Sequence, residues 1–148
     1  DLAENVSRQV GLSRFGEDSP REIKQALEDL KQKGAKGIIF DLRSNGGGLL
    51  EQSVEIANLF MEKDRLIVYT LGQDLDEKRT YISRDEPIFE DGPLVVLVDD
   101  QTASASEMFS VVMKPFNAPR TRSFLVSCRV SMPWMPGMPF CSRYSPRE

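Results

Sequence analysis

Apolar and polar positions along this chain switch repeatedly between a period of two and a period near 3.6. Residues 9–15, Gln9-Val10-Gly11-Leu12-Ser13-Arg14-Phe15, predict a first strand. Ile23, Ala26, Leu27 and Leu30 then recur at i, i+3, i+4 and i+7, which draws one apolar stripe along a helix. Ser19 reads as its N-cap, Pro20 as its first residue and Glu22 as the third partner of a Ser-x-x-Glu capping box, with Gly34 as the stop. Residues 37–42 predict a short apolar strand, and strand, helix and strand in this order imply a parallel, right-handed unit. A second helix is expected over 49–61, turning Leu50, Val54, Ala57 and Met61 inward. The β-branched and aromatic runs at 65–71 and 78–83 predict a hairpin around Gly72-Gln73-Asp74. Pro93-Leu94-Val95-Val96-Leu97-Val98-Asp99 is the most strand-like run and predicts a buried strand, followed by a helix that ends near Met113. The class is α/β, with a hairpin inserted between its βα units.

Two turns in this order are expected at the same sheet edge. The first is Arg43-Ser44-Asn45-Gly46-Gly47-Gly48, between a strand and a helix, where α/β proteins place ligands. Its spacing does not fit Gly-x-Gly-x-x-Gly and no Gly-Lys-Ser/Thr is present, which argues against a phosphate cradle. Two readings remain: a glycine N–H that donates to an oxyanion, or a flexible turn. The second turn is Gln101-Thr102-Ala103-Ser104-Ala105-Ser106-Glu107, between the apolar strand and its helix. A serine there meets outward-pointing amide hydrogens and the positive end of a helix dipole, which suits a nucleophile. The alternative is that the serines only cap the helix.

Composition narrows the chemistry. With 148 residues, 40% of them apolar and 28% charged, the chain is one globular domain with room for a core. It contains no histidine, which excludes a Ser-His-Asp triad, a Cys-His dyad and histidine-ligated zinc, so a nucleophilic serine would need lysine as its base. No metal and no cofactor is implied. The net charge of −4 is split: residues 1–113 hold 13 of 19 basic and 22 of 23 acidic residues, whereas residues 114–148 carry a net +5. The latter segment also holds six of nine prolines, Cys128, Cys141 and Trp134, and Met132-Pro133-Trp134-Met135-Pro136-Gly137-Met138-Pro139 has neither helical nor strand periodicity. It is expected to be an irregular, anomalous tail of the kind a frameshift leaves, distinct from the core at 1–113. Without clustered Lys or Arg it is not expected to bind nucleic acid.

Asp41-Leu42-Arg43-Ser44-Asn45-Gly46-Gly47-Gly48-Leu49-Leu50 resembles the Asp-Leu-Arg-x-Asn-x-Gly-Gly element of the carboxyl-terminal processing (tail-specific) proteases, and Thr102-Ala103-Ser104-Ala105-Ser106-Glu107 resembles their nucleophile segment. The resemblance covers residues 9–113 and rests on both motifs in the right order. It implies a ClpP/crotonase-like spiral of βα units and a serine endopeptidase that cuts proteins near their C-termini by a Ser-Lys dyad. It further implies Ser104 as nucleophile, the backbone N–H groups of Gly48 and Ala105 as oxyanion donors, and Glu107 as a supporting residue of undefined role. Polypeptide C-termini are the implied partners, a PDZ domain is expected upstream in the full-length protein, and the implied location is extracytoplasmic. The chain departs from the family at the base. Position 129, where the lysine is expected, is Arg129, which does not deprotonate, and Lys114 is the only lysine after Ser104. No base lysine is identified, so the chain as written is expected to have little activity. Two alternatives use the same fold: a non-catalytic peptide-binding domain, and a crotonase-type acyl-CoA enzyme.

Overall fold

The computed structural model describes residues 7–71, 78–89, 92–114 and 122–127. The chain runs β1 (Ser7–Gly11), α1 (Ser19–Gln32), β2 (Gly37–Asp41), α2 (Leu50–Asn58), β3 (Leu66–Leu71), β4 (Lys78–Ile82), β5 (Pro93–Val98), α3 (Ala105–Val112) and β6 (Arg122–Ser127). Four strands form one sheet in the order β1-β2-β5-β6, all parallel, while β3 and β4 pair only with each other. In such a sheet, successive βα turns emerge at one edge, here carrying the segments after Asp41 and after Val98.

α2 packs between α1 and α3 and touches β3. Ile38, Phe40, Leu94 and Val96 are buried in the core, whereas the alternating Ile39, Val95 and Leu97 are only partly covered. β5 is therefore buried on one face, not on both as its continuous apolar run suggests. Four phenylalanines fill the centre. The Phe109 ring on α3 lies 6.1 Å from Phe15, 5.0 Å from Phe40 and 6.1 Å from Phe60, centroid to centroid. Such tilted and edge-on pairs add about 0.5–1.5 kcal/mol each beyond their buried area.

Several expectations need correction. Ser19 is not the cap of α1: Asp18 holds that position, without a side-chain capping bond. The Ser19 hydroxyl instead donates to the Arg14 carbonyl and accepts the Gly16 N–H, so a tertiary contact has claimed it. α2 is shorter than expected and its buried residues are Ser53, Ile56 and Ala57, with Leu50 and Val54 only partly covered. Met61 is buried just beyond the helix, as the spacing implied. The first strand ends at Gly11, and Phe15 joins a separate parallel bridge to Gly48. The segment expected to be an irregular tail supplies β6, through the apolar run Phe124-Leu125-Val126. The Gly72-Gln73-Asp74 turn, Arg129, Cys128, Cys141 and the Met132–Pro139 run lie outside the described residues.

Candidate active site

The glycine turn and the serine turn meet. Along the edge, Leu42 N–H donates to Leu97 C=O and extends the β2–β5 ladder by one residue. Beyond it the turns are joined by side chains. Thr102 Oγ1 donates to Leu42 C=O at 2.8 Å, and the Ser44 N–H and hydroxyl both reach the Asp99 carboxylate, at 2.9 and 3.2 Å. The Asp99 carboxylate also accepts from Gln101 N–H and Thr102 Oγ1. The Ser44 N–H, with help from these other donors, holds its pKa below the ordinary carboxylate value. Asp41 is lowered as well, chiefly by the Arg43 side chain that grips it through two guanidinium nitrogens.

Ser104 is exposed and occupies φ +56°, ψ −120°, a conformation that L-residues rarely adopt. A residue held this way costs of order 1–3 kcal/mol, and such strain gathers where a side chain must be aimed. Its N–H donates to the Glu107 carboxylate at 2.8 Å, so Glu107 reaches back across the first turn of α3 to pin the elbow. Ser106 is different: its side chain is fully buried, and its hydroxyl finds no partner among the described residues. Ser104 is the N-cap of α3, and of the two serines it alone is exposed.

Gly47 explains how closely the turns approach. A side-chain carbon there would sit 2.8 Å from both Ala103 O and Ser104 Cβ, and 3.0 Å from Ala105 N, at φ +101°. Only glycine fits. Gly48, at φ +146°, is pressed more closely still against the Phe15 backbone. Phe15 N–H donates to Gly47 C=O, and Leu49 N–H donates to Phe15 C=O. The Gly47–Gly48 peptide is trans, so its N–H points opposite to its carbonyl, away from Phe15. Among the described residues no group accepts a hydrogen bond from Gly48 N–H or from Ala105 N–H.

Lys24, Lys31, Lys33, Lys36, Lys63 and Lys78 are all exposed, Lys31 on the Ile88 carbonyl and Lys78 over the Tyr69 ring. Lys114 is half-buried just past α3. Among the described residues no cluster of acidic or sulfur side chains could hold a metal ion. Asn45, Asp99 and Thr102 were not singled out from sequence. Their long-range contacts span 33 to 60 residues, which no local pattern announces.

The model of peptidase family S41 matches residues 9–118. The carboxy-terminal processing protease CtpA of Bacillus subtilis is 33% identical over 113 residues, which are 76% of this chain and 24% of that protein. The carboxyl-terminal-processing protease of Synechocystis is 40% identical over 101 residues, 68% of this chain and 23% of that protein. Among solved structures, a photosystem II D1 C-terminal processing protease superposes with a TM-score of 0.68 at 30% identity, over 80% of this chain and 29% of that one. The chain thus spans about a quarter of the length of the curated relatives it matches. On these matches and on its two joined turns, the chain belongs to peptidase family S41, the serine-type peptidases that include the carboxyl-terminal processing proteases.

Proposed function

We propose that this chain carries the nucleophile and oxyanion half of a serine endopeptidase site that cuts polypeptides near their C-termini. The observation that carries the reading is the contact of Gly47 with a strained, exposed Ser104. In the reaction, Ser104 Oγ bonds to the scissile carbonyl carbon while a base takes the hydroxyl proton. The carbonyl oxygen becomes an oxyanion beside the N–H groups of Gly48 and Ala105, the C–N bond breaks, and the base returns its proton to the leaving amine. Water then hydrolyses the acyl-enzyme. Glu107 acts by holding the Ser104 backbone. The fold is read as a ClpP/crotonase-like spiral, the location as extracytoplasmic, and an upstream PDZ domain as the tether for substrate in the full-length protein.

The base is the missing part. The resemblance calls for a lysine in a Ser-Lys dyad, yet six of the seven lysines are exposed and position 129 is arginine. The family match ends at residue 118, and the sequence beyond it is read as foreign to the family, which leaves the nucleophile unassisted. The test is cleavage of an unstructured peptide with an apolar C-terminus. The chain is expected to cleave no faster than its Ser104→Ala variant; rapid cleavage lost in that variant would show that a base is present. The missing base favours one second reading, a peptide-binding domain. In that case peptide affinity is the same in wild type and Ser104→Ala, and serine-directed reagents leave the chain unlabelled. An acyl-CoA enzyme has no use for a strained serine, and the Ser104 geometry weighs against it.

A further inference from the structure

We propose that Asn45 is the positioning residue of the oxyanion site, the group that turns the Gly48 N–H toward the reacting carbonyl; this rests on the serine-peptidase reading above. Asn45 is completely buried, and it holds three segments at once. Its Nδ2 donates to Leu12 C=O at 2.7 Å, fixing the chain that follows β1. Its Oδ1 accepts Gly47 N–H at 2.9 Å, and its own carbonyl accepts Ala103 N–H at 3.1 Å, one residue before the nucleophile. Each bond constrains a different part of the same small volume.

The consequence follows from peptide geometry. With Gly47 N–H bound to Asn45 and Gly47 C=O bound to Phe15 N–H, both sides of Gly47 are fixed. The next N–H, that of Gly48, can then point only away from Phe15. Gly47 itself has positive φ and no side chain, so nothing intrinsic to it selects this orientation. Asn45 selects it. The Ala103 bond ties the serine turn to the same residue, so donor and nucleophile are held in one frame.

The test uses the full chain and a short apolar peptidyl boronate. Ser104 Oγ adds to boron, the hydroxyl proton passes to the buffer, and boron becomes a tetrahedral anion that imitates the oxyanion without requiring a lysine. The same peptide as a C-terminal amide reports binding without the anion. Wild type is expected to give a tetrahedral boron NMR resonance that Ser104→Ala lacks. No resonance in wild type, or an unchanged one in Ser104→Ala, defeats the nucleophile reading and this proposal with it. Given that resonance, Asn45→Ala is expected to weaken boronate binding at least about tenfold while amide binding stays at the wild-type level. Equal losses for both ligands, or no loss for the boronate, overturn the role of Asn45 and leave that of Ser104 intact. Should Asn45→Ala fail to fold, amide exchange in wild type decides. Gly47 N–H is expected to be protected from the start and Gly48 N–H only once boronate is bound; a Gly48 amide indifferent to the boronate overturns the proposal.

Discussion

Ser104 pays for its exposure with backbone strain, and that strain is measurable. At φ +56°, ψ −120° the β-carbon is the source of the penalty, so its removal should be felt as stability. Ser104→Gly is expected to be more stable than Ser104→Ala by about 1 kcal/mol, the relief being partly offset by the extra freedom of glycine in the unfolded chain. Urea denaturation of the two variants measures the difference. An alanine variant equal to or more stable than the glycine variant would mean that the elbow is relaxed in solution. The comparison avoids the hydroxyl altogether, because both variants lack it. Neither change removes the Ser104 N–H that the Glu107 carboxylate holds.

The elements place the two turns, but a clamp between the elements sets their spacing. Asp99, at the end of β5, binds Ser44, beyond the end of β2, through one carboxylate that serves both turns. Its pKa is lowered in the fold, chiefly by the Ser44 N–H, so the folded chain holds fewer protons on this group than the unfolded chain does near the ordinary carboxylate value. The contribution of the clamp is therefore complete above that value and is lost as pH falls through the lower, folded one. In an NMR titration the Ser44 and Gln101 amides are expected to move together with the Asp99 carboxyl, below the ordinary range, and Asp99→Asn should abolish the step. A Ser44 amide that follows no such titration would remove the clamp from the account. This is also the limit of what the sequence discloses. Period and punctuation announce every strand and helix from β1 to α3, and small residues after Asp41 and Val98 mark both turns. The roles of Asn45, Thr102 and Asp99 are invisible because each joins a local bond to a partner 33 to 60 residues away, which no local pattern supplies. Ser19 shows the same limit in reverse: a good local cap signal yields to a tertiary bond. β6 escaped because an unfamiliar composition around it masked three apolar residues in a row.

At the scale of the whole molecule, the site and the core are one structure. Phe15 illustrates the link: its backbone binds Gly47 and Leu49 on either side of the proposed oxyanion donor, and its ring packs on Phe109. Phe109 lies on α3, the helix that begins at Ser104, and also touches Phe40 of β2 and Phe60 beyond α2. All four rings are essentially inaccessible to water. A change at Phe109 should therefore be felt twice. Phe109→Ala is expected to cost about 3–5 kcal/mol through the lost contacts and the cavity, which threatens folding in a domain of this size. Phe109→Leu, with a smaller void, is expected to fold at a cost nearer 1–2 kcal/mol. In that variant α3 loses its seat against Phe15, so the register of Ser104 over Gly47 should loosen even though no residue of the site has changed. Urea denaturation gives the first effect, and reaction of Ser104 with the peptidyl boronate gives the second. A leucine variant destabilised as expected but with wild-type boronate affinity would show that the hydrogen bonds of Asn45, Thr102 and Asp99 hold the two turns without help from the core.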